Sequence, residues 1–377
     1  MGTFTHLEVR FQRRIELLFA NGWQPADLAH LVRRNGTQRS TRLLLGYIAQ
    51  LSRRDQAPSR APQQWLDQLQ ELGVLSDDAT VVGGHGEIID RWLRAEKLDT
   101  DEAHTIVIDT LTVLEGAPRL SALLPPPTEW PASNKGRVRP VPPTGQADGK
   151  ALKLIRALLA KAEGTTFEAE AEAFTEKAQE LMTRHSIDMA MLAAHAAGSA
   201  AQYGVDSRRV HIDNPYADEK ATFLAAIAHV NGAKCIWHPS AGFSTLMGFA
   251  VDLQLTDVLF TSLLVQATHA STAATAHDKA LRTPSFRRAF IVSFADRISE
   301  RLESASRHVT EEASHEYGDA MLPVLAQREA AVEQAYTEAF PNAVVMKAKR
   351  YNAYGWHAGR EAADRADIGA GAAITSG

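Results

Sequence analysis

The stretch GKALKLIRALLAKAEGTTFEAEAEAFTEKAQELMTRHSI, residues 149–187, decides the predicted fold of this chain. Both halves of the stretch place apolar side chains at helical spacing, and Gly164 separates the two halves. Thr165 and Glu168 fit a capping box at the start of the second helix. The pattern therefore predicts a hairpin of two helices with one apolar face. That face consists of Leu152, Ile155, Leu158, Leu159, Phe174 and Leu181.

The apolar face of the hairpin needs a surface to cover it. Two helices of this length bury too little area to be stable by themselves, because most helical stability comes from tertiary packing. We expect the face to bind an unknown protein partner or to pack against another domain of the same chain.

The chain before the hairpin divides into two regions. Apolar residues at helical spacing predict an N-terminal helical domain over residues 1–124. Seven prolines then fall within residues 125–143, accompanied by three basic residues. Because proline removes amide donors and favours extended backbone, residues 125–148 are predicted to be a basic, proline-rich linker.

The chain after the hairpin is predicted to be helical as well. The family-like hairpin domain spans residues 149–197, and a C-terminal helical domain spans residues 205–370. Two apolar runs flank a turn-forming segment and predict a β-hairpin near residues 233–249. The predicted fold class is therefore mainly α, a multi-domain helical protein with one small β-hairpin in a C-terminal α+β domain.

The composition indicates the cellular compartment of the protein. The chain has 377 residues, a formal net charge of −5 and a single cysteine, so it has no intrachain disulfide and no cysteine-rich zinc module. No apolar run reaches the ~20 residues that span a bilayer, and the charged N-terminus does not look like a signal peptide. We expect a cytoplasmic protein that does not bind a membrane.

Residues 153–187 resemble the family known as domain of unknown function 2786. The resemblance lies in the lysine-led first helix, in the run KAQELM at 177–182 and in His185. GWQPADL at 22–28, FRRAF at 286–290 and the segment 359–368 resemble flanking regions of actinobacterial members of that family. The resemblance implies a mostly helical, intracellular protein, and it implies no activity and no catalytic residues.

Arginine clusters near the N-terminus are candidates for nucleic-acid binding. Residues 1–60 contain ten arginines, no lysine and four acidic residues. Arginines beside a short helix can contact phosphates, whose charge dominates the affinity of such complexes. The alternative is a solvated helix surface with salt bridges. The candidate residues are Arg33, Arg34, Arg39 and Arg42.

One predicted helix offers a candidate metal site. His308, Glu312 and His315 lie within two turns, and Glu312 and His315 have the Glu-x-x-His spacing of di-iron bundles. Those bundles need the motif twice, and no second copy is present. The alternative is a polar helix face with local Glu–His pairing. No cofactor is predicted, with a divalent metal at these residues as the alternative.

Other reactive groups have structural explanations. Cys235 and His238 are three residues apart on a predicted strand, which points them to opposite faces. His185 is predicted to cap the end of the second hairpin helix, because a cationic imidazole complements the helix dipole there. Gly355 and Gly359, four apart on the last helix, indicate close helix packing.

These patterns leave three functional hypotheses. The leading one is a non-catalytic binding or scaffold module, with nucleic acid as the first partner to test. The second is a metal-dependent hydrolase that uses His, Glu and Asp of the C-terminal domain. The third is a purely structural role in which the hairpin packs inside its own chain. Because no catalytic constellation is assembled in the sequence, the chain is not predicted to be an enzyme.

Overall fold

The computed structural model describes residues 4–75, 88–132, 146–165, 168–196, 204–276, 281–344 and 353–365. The described residues are mainly α-helical and include one small antiparallel sheet, which confirms the predicted fold class. The chain divides into two compact units. Unit 1 comprises residues 1–139 and 238–243, and unit 2 comprises residues 140–237 and 244–377.

Unit 1 is a helical unit whose helices begin where the sequence supplies caps. Thr37 accepts a hydrogen bond from the backbone amide of Ser40 at 3.1 Å, and Asp99 accepts one from Glu102 at 2.8 Å. Its helices are α1 (Thr5–Ala20), α2 (Pro25–Asn35), α3 (Gln38–Arg54), α4 (Ala57–Arg60), α5 (Gln63–Glu71), α6 (Ile88–Glu96) and α7 (Thr100–Glu115).

Aromatic side chains form the centre of the unit 1 core. Trp23, Tyr47 and Trp92 are almost completely buried. Trp65 makes edge contacts with Phe19 and with Trp130, at ring-centroid distances of 5.1 and 5.3 Å. Such pairs add about 0.5–1.5 kcal/mol to the stabilisation from burial alone.

The linker is shorter in the structure than the predicted range of residues 125–148. Trp130 is buried, and the Arg60 guanidinium donates to the carbonyls of Trp130 and Pro131 at 3.0 and 2.9 Å. Residues 125–132 therefore fold as part of unit 1. Residues 133–145 lie outside the described residues, and helix already begins at Gln146.

Unit 2 contains the hairpin, further helices and most of the sheet. Its helices are α8 (Gln146–Gly164), α9 (Glu168–Ala196), α10 (Ala217–Val230), α11 (Ala250–Ala274), α12 (Pro284–Tyr317), α13 (Met321–Ala339) and α14 (Ala353–Arg365). The strands are β1 (Asp206–His211), β2 (Lys234–His238) and β3 (Phe243–Gly248), in the order β1-β3-β2.

The sheet has one strand more than the predicted β-hairpin. Strands β2 and β3 form the hairpin near 233–249. Strand β1 lies within residues 198–215, whose polar and glycine-containing sequence predicts a connection rather than a strand. It forms a strand because it pairs with β3, every residue of which is buried.

The hairpin α8–α9 packs inside unit 2 and is not a separate domain. Ile155 and Leu159 are at most 1% exposed and share a core with α10, α11 and α12. Leu152, Leu158 and Leu181 are half-buried against the same core, and Phe174 lies under the Lys161 ammonium at 5.4 Å. The apolar face is therefore covered by the same chain, which corrects the boundary predicted between residues 149–197 and 205–370.

Helix α9 continues past its predicted end. Ile187 and Met191 extend the apolar stripe and pack against Ala313 and Met321. His185 consequently lies in the middle of α9. The predicted role of His185 as a C-terminal cap is wrong, because the stripe carries the helix on to Ala196.

Close packing of α12 against α14 confirms the prediction for the two glycines. A Cβ atom on Gly355 would lie 2.5 Å from the Phe286 carbonyl oxygen, and one on Gly359 would lie 2.5 Å from that of Phe290. Both distances are impossible for a real side chain, so only glycine permits this approach.

Helix α11 is long and apolar enough to span a bilayer by length and composition. Half of its most apolar window is buried inside the protein. A core helix passes the same test, so the helix is weak evidence for a membrane span.

Candidate functional site

A cavity of about 310 Å³ lies in unit 2 beside the second half of α9. Its walls come from α9, the turn between α10 and β2, the start of α11, and parts of α12 and α13. The apolar part of the wall consists of Met182, Ile187, Phe249, Leu255, Leu325 and Val332. The cavity lies within the size range of small-molecule sites, at its lower end.

A buried ion pair forms one part of the polar wall of the cavity, which His229, Asn231 and Ser306 also line. Arg328 Nη2 donates to Asp252 Oδ2 at 2.7 Å, and Arg328 Nη1 donates to the Ser186 carbonyl oxygen at 2.8 Å. The guanidinium carbon also lies 4.1 Å from the centroid of the Phe249 ring. These three contacts fix the plane of the guanidinium.

Burial raises the pKa of Asp252 above its ordinary value. The neighbouring charges of Arg328 and His185 and a hydrogen bond with Ser186 oppose this rise. Desolvation is the larger effect because the carboxylate is almost completely enclosed. A strongly perturbed acid beside a cavity is typical of a functional site, although structural ion pairs produce the same signal.

Hydrogen bonds hold the α9 wall of the cavity in place. The Gln179 amide donates to Thr183 Oγ1 at 3.1 Å and to Asn231 Oδ1 at 3.2 Å. Thr183 Oγ1 in turn donates to Ser306 Oγ at 3.3 Å. Gln179 is completely buried and belongs to the KAQELM run, so this run connects α9 to α12 and to the α10–β2 turn.

The structure places the candidate nucleic-acid residues in or beside ion pairs of unit 1. Arg39 Nη1 lies 2.6 Å from Glu102 Oε1, and Arg42 Nη2 donates to Glu96 Oε2 at 2.7 Å. Arg33 is exposed and Arg34 is half-buried. Local acids therefore compensate the charges of Arg39 and Arg42, which favours the salt-bridge interpretation.

The structure does not assemble the predicted metal site. His308 Nε2 lies 3.4 Å from Glu312 Oε1, and both side chains are largely exposed. His315 is exposed farther along α12. Within the described ranges, no three His, Cys, Asp or Glu side chains converge as metal ligands. A helix face with local pairing accounts for these residues.

Cys235 is not poised as a nucleophile or ligand. Burial raises the pKa of the thiol to about 12, while a hydrogen bond with Ser244 lowers it slightly. The thiol is therefore protonated at neutral pH, and it is the thiolate that attacks substrates and binds metals.

The fold and the cavity define the class of unit 2, a helical unit with a small sheet and a pocket whose wall includes part of the hairpin. Residues 150–189 match the family model described as protein of unknown function (DUF2786). The match confirms the resemblance of the hairpin and covers a small part of the chain. No curated protein and no solved structure was found to match the chain.

Proposed function

We propose that this protein is a non-catalytic binding module whose ligand is a small molecule held in the unit 2 cavity. The observation that supports it is a cavity with a largely apolar wall and one buried, oriented ion pair, Asp252–Arg328. Small-molecule sites combine apolar walls with few fixed polar groups in this way.

The hairpin supports the proposal because it contributes directly to the cavity wall. Met182, Thr183, Ser186 and Ile187 line the cavity, and all four belong to the segment that matches the family model. The apolar face of the hairpin meanwhile packs inside unit 2. This arrangement assigns the hairpin a ligand-facing side and a core-facing side.

Nucleic-acid binding and metal-dependent hydrolysis have less support, and a purely structural role agrees with the packing of the hairpin inside unit 2 but gives the cavity no function. Nucleic-acid binding depends on exposed, uncompensated arginines, and Arg39 and Arg42 are paired with acids. A metal-dependent hydrolase depends on converging ligands, and His308, Glu312 and His315 do not converge. A cytoplasmic location remains part of the proposal, because a single cysteine gives the chain no intrachain disulfide of the kind that stabilises many secreted domains.

Blocking the cavity tests the proposed function. A Thr183→Trp variant places an indole in the cavity wall, and Ala194→Trp adds the same side chain at an exposed position of the same helix. Binding of small carboxylates, amides, amines and nucleosides is measured by thermal shift and isothermal titration on the full chain. Circular dichroism checks that both variants fold.

We expect at least one of these compound classes to bind the wild-type protein. Thr183→Trp should weaken that binding by about tenfold or more, equivalent to ~1.4 kcal/mol, while Ala194→Trp should leave it unchanged. Equal binding by Thr183→Trp, or binding of no compound class by the wild type, would overturn the proposal.

A further inference from the structure

We propose that the ligand of the unit 2 cavity is a small organic carboxylate with a hydrocarbon body. This inference rests on the proposed function, because it assigns a chemical class to the ligand of the same cavity. Its basis is the difference between the two members of the buried ion pair and the composition of the wall around them.

Arg328 is the member of the pair that remains available to a ligand. Its side chain is 18% exposed, compared with 7% for Asp252. A guanidinium has five N–H groups, and among the described residues two of those on Arg328 have an acceptor. Asp252, in contrast, accepts from Arg328 and is hydrogen-bonded with Ser186. Both members of the pair line the cavity, and Arg328 is the one that keeps N–H donors beyond those bonded to acceptors of the described residues.

The guanidinium is also positioned before any ligand arrives. The Ser186 carbonyl, the Asp252 carboxylate and the Phe249 ring restrict it on three sides. A planar fork of donors matches the two oxygens of a carboxylate, and a fixed fork loses little conformational entropy on binding. An amine has no acceptor for these donors, and an amide offers one neutral oxygen.

The charges around the cavity do not select a cation over an anion. Lys234 and Glu329 line it with opposite charges, and Lys234 Nζ is paired with Glu333 Oε2 at 2.5 Å. Asp252 and Arg328 compensate each other in the interior. The choice therefore depends on the Arg328 donors that are not bonded to Asp252 or to the Ser186 carbonyl, because these donors favour a ligand with acceptor atoms.

The apolar wall determines the rest of the ligand. Ile187, Leu255 and Val332 are nearly buried, and they line the cavity beside Arg328. A bound hydrocarbon gains about 0.8 kcal/mol for each buried CH₂ group. A hydrophilic ion such as phosphate would leave this wall without a contact.

The experiment compares three probes that differ in head group only: hexanoate, hexanamide and hexylamine. Each is titrated calorimetrically into the full chain. We expect hexanoate to bind about tenfold more tightly than either of the others, because its carboxylate offers two charged oxygens to the guanidinium, whereas the amide offers one neutral oxygen and the ammonium offers no acceptor.

A double variant, Asp252→Asn with Arg328→Gln, tests the role of the guanidinium. It removes both charges together, so no unpaired charge remains buried. Hexanoate should bind this variant about tenfold more weakly, and hexanamide should bind it within about threefold of the wild type. The matched control is Arg307→Gln, which changes an exposed arginine of α12 and should alter neither affinity.

The outcomes separate the two proposals. If hexanamide or hexylamine binds as tightly as hexanoate and Thr183→Trp blocks it, the carboxylate class is wrong and the cavity remains the binding site. If hexanoate binds equally well to the double variant, the assignment to Arg328 is wrong. If none of the three probes binds the wild type, the carboxylate class is overturned, and the wider compound panel decides the function of the cavity.

Discussion

Two arginine–carboxylate pairs, one in each unit, differ in how much of the arginine side chain is exposed to solvent. In unit 1, Arg42 pairs with Glu96 at the edge of the protein surface, where the Arg42 side chain is 40% exposed and the Glu96 side chain is 11% exposed. In unit 2, Arg328 and Asp252 are 18% and 7% exposed and lie beside a cavity. A surface pair contributes little to stability, whereas a buried pair is costly to desolvate and costly to break. The proposed binding role gives a reason to keep a pair that is costly to desolvate.

Removing one charge from the buried pair should produce the largest effect. Arg328→Gln leaves Asp252 enclosed without its cation, which costs about 3–5 kcal/mol in comparable buried pairs. The measurement is urea denaturation, with unit 2 followed by hydrogen exchange of its own peptides. The double variant Asp252→Asn with Arg328→Gln should recover most of the loss. A loss below about 1 kcal/mol for Arg328→Gln would show that the pair behaves like a surface pair.

The next largest loss of stability is expected from a substitution in the uncharged contact between α12 and α14. Gly359→Ala places a methyl group against Phe290 and Ser293, so α14 must move away from α12. Overpacking of this kind costs about 1–3 kcal/mol, which should appear in the free energy of unfolding of unit 2. Gly164→Ala is the control, because no atom lies within 4 Å of its added Cβ. Equal losses from the two substitutions would contradict the close approach of the helices.

The two pairs should respond to pH in opposite directions. Burial raises the pKa of Asp252, so its contribution to stability is complete below its unfolded-state value of 3.8 and is lost as pH rises through the folded-state pKa. Arg42 lowers the pKa of Glu96, so that contribution is present above 4.5 and is lost as pH falls through the folded-state pKa.

Free energies of unfolding measured from pH values below 3.8 to values above 4.5 test whether the two pairs respond to pH in opposite directions. The difference between wild type and Asp252→Asn should fall as pH rises, and the difference between wild type and Glu96→Gln should fall as pH drops. If both differences change in the same direction, the contrast between the two environments is wrong.

The smallest effect is expected at the surface pair itself. Arg42→Gln should lower the free energy of unfolding of unit 1 by about 1 kcal/mol or less, because solvent screens an exposed pair. A mobility-shift titration of an Arg33→Gln, Arg34→Gln variant at low salt tests the nucleic-acid proposal in the same unit. Binding of double-stranded DNA by the wild type that disappears in this variant would restore that proposal.

Helical periodicity predicted the core, because burial follows from local spacing. Ile155 and Leu159 are buried as their positions in the stripe predict. Glycine spacing likewise predicted the approach of Gly359 to Phe290. Strand β1 was missed because its residues Asp206–His211 have no alternating pattern, and only pairing with β3 makes them a strand.

The cavity was not predictable from the sequence, because its polar residues meet only in the folded chain. Asp252 and Arg328 are 76 residues apart and lie on different helices. An acid in the first turn of α11 resembles an ordinary response to the helix dipole. A signal was nevertheless present, since Asp252 interrupts an apolar stretch at the start of α11.

A crystal structure of the full chain with the tightest-binding compound of the panel is the decisive test of ligand binding in the unit 2 cavity. We expect the compound to lie in the unit 2 cavity, in contact with Arg328 and with the wall formed by Met182 and Ile187. The compound bound elsewhere, with the cavity closed by its own side chains, would contradict this expectation.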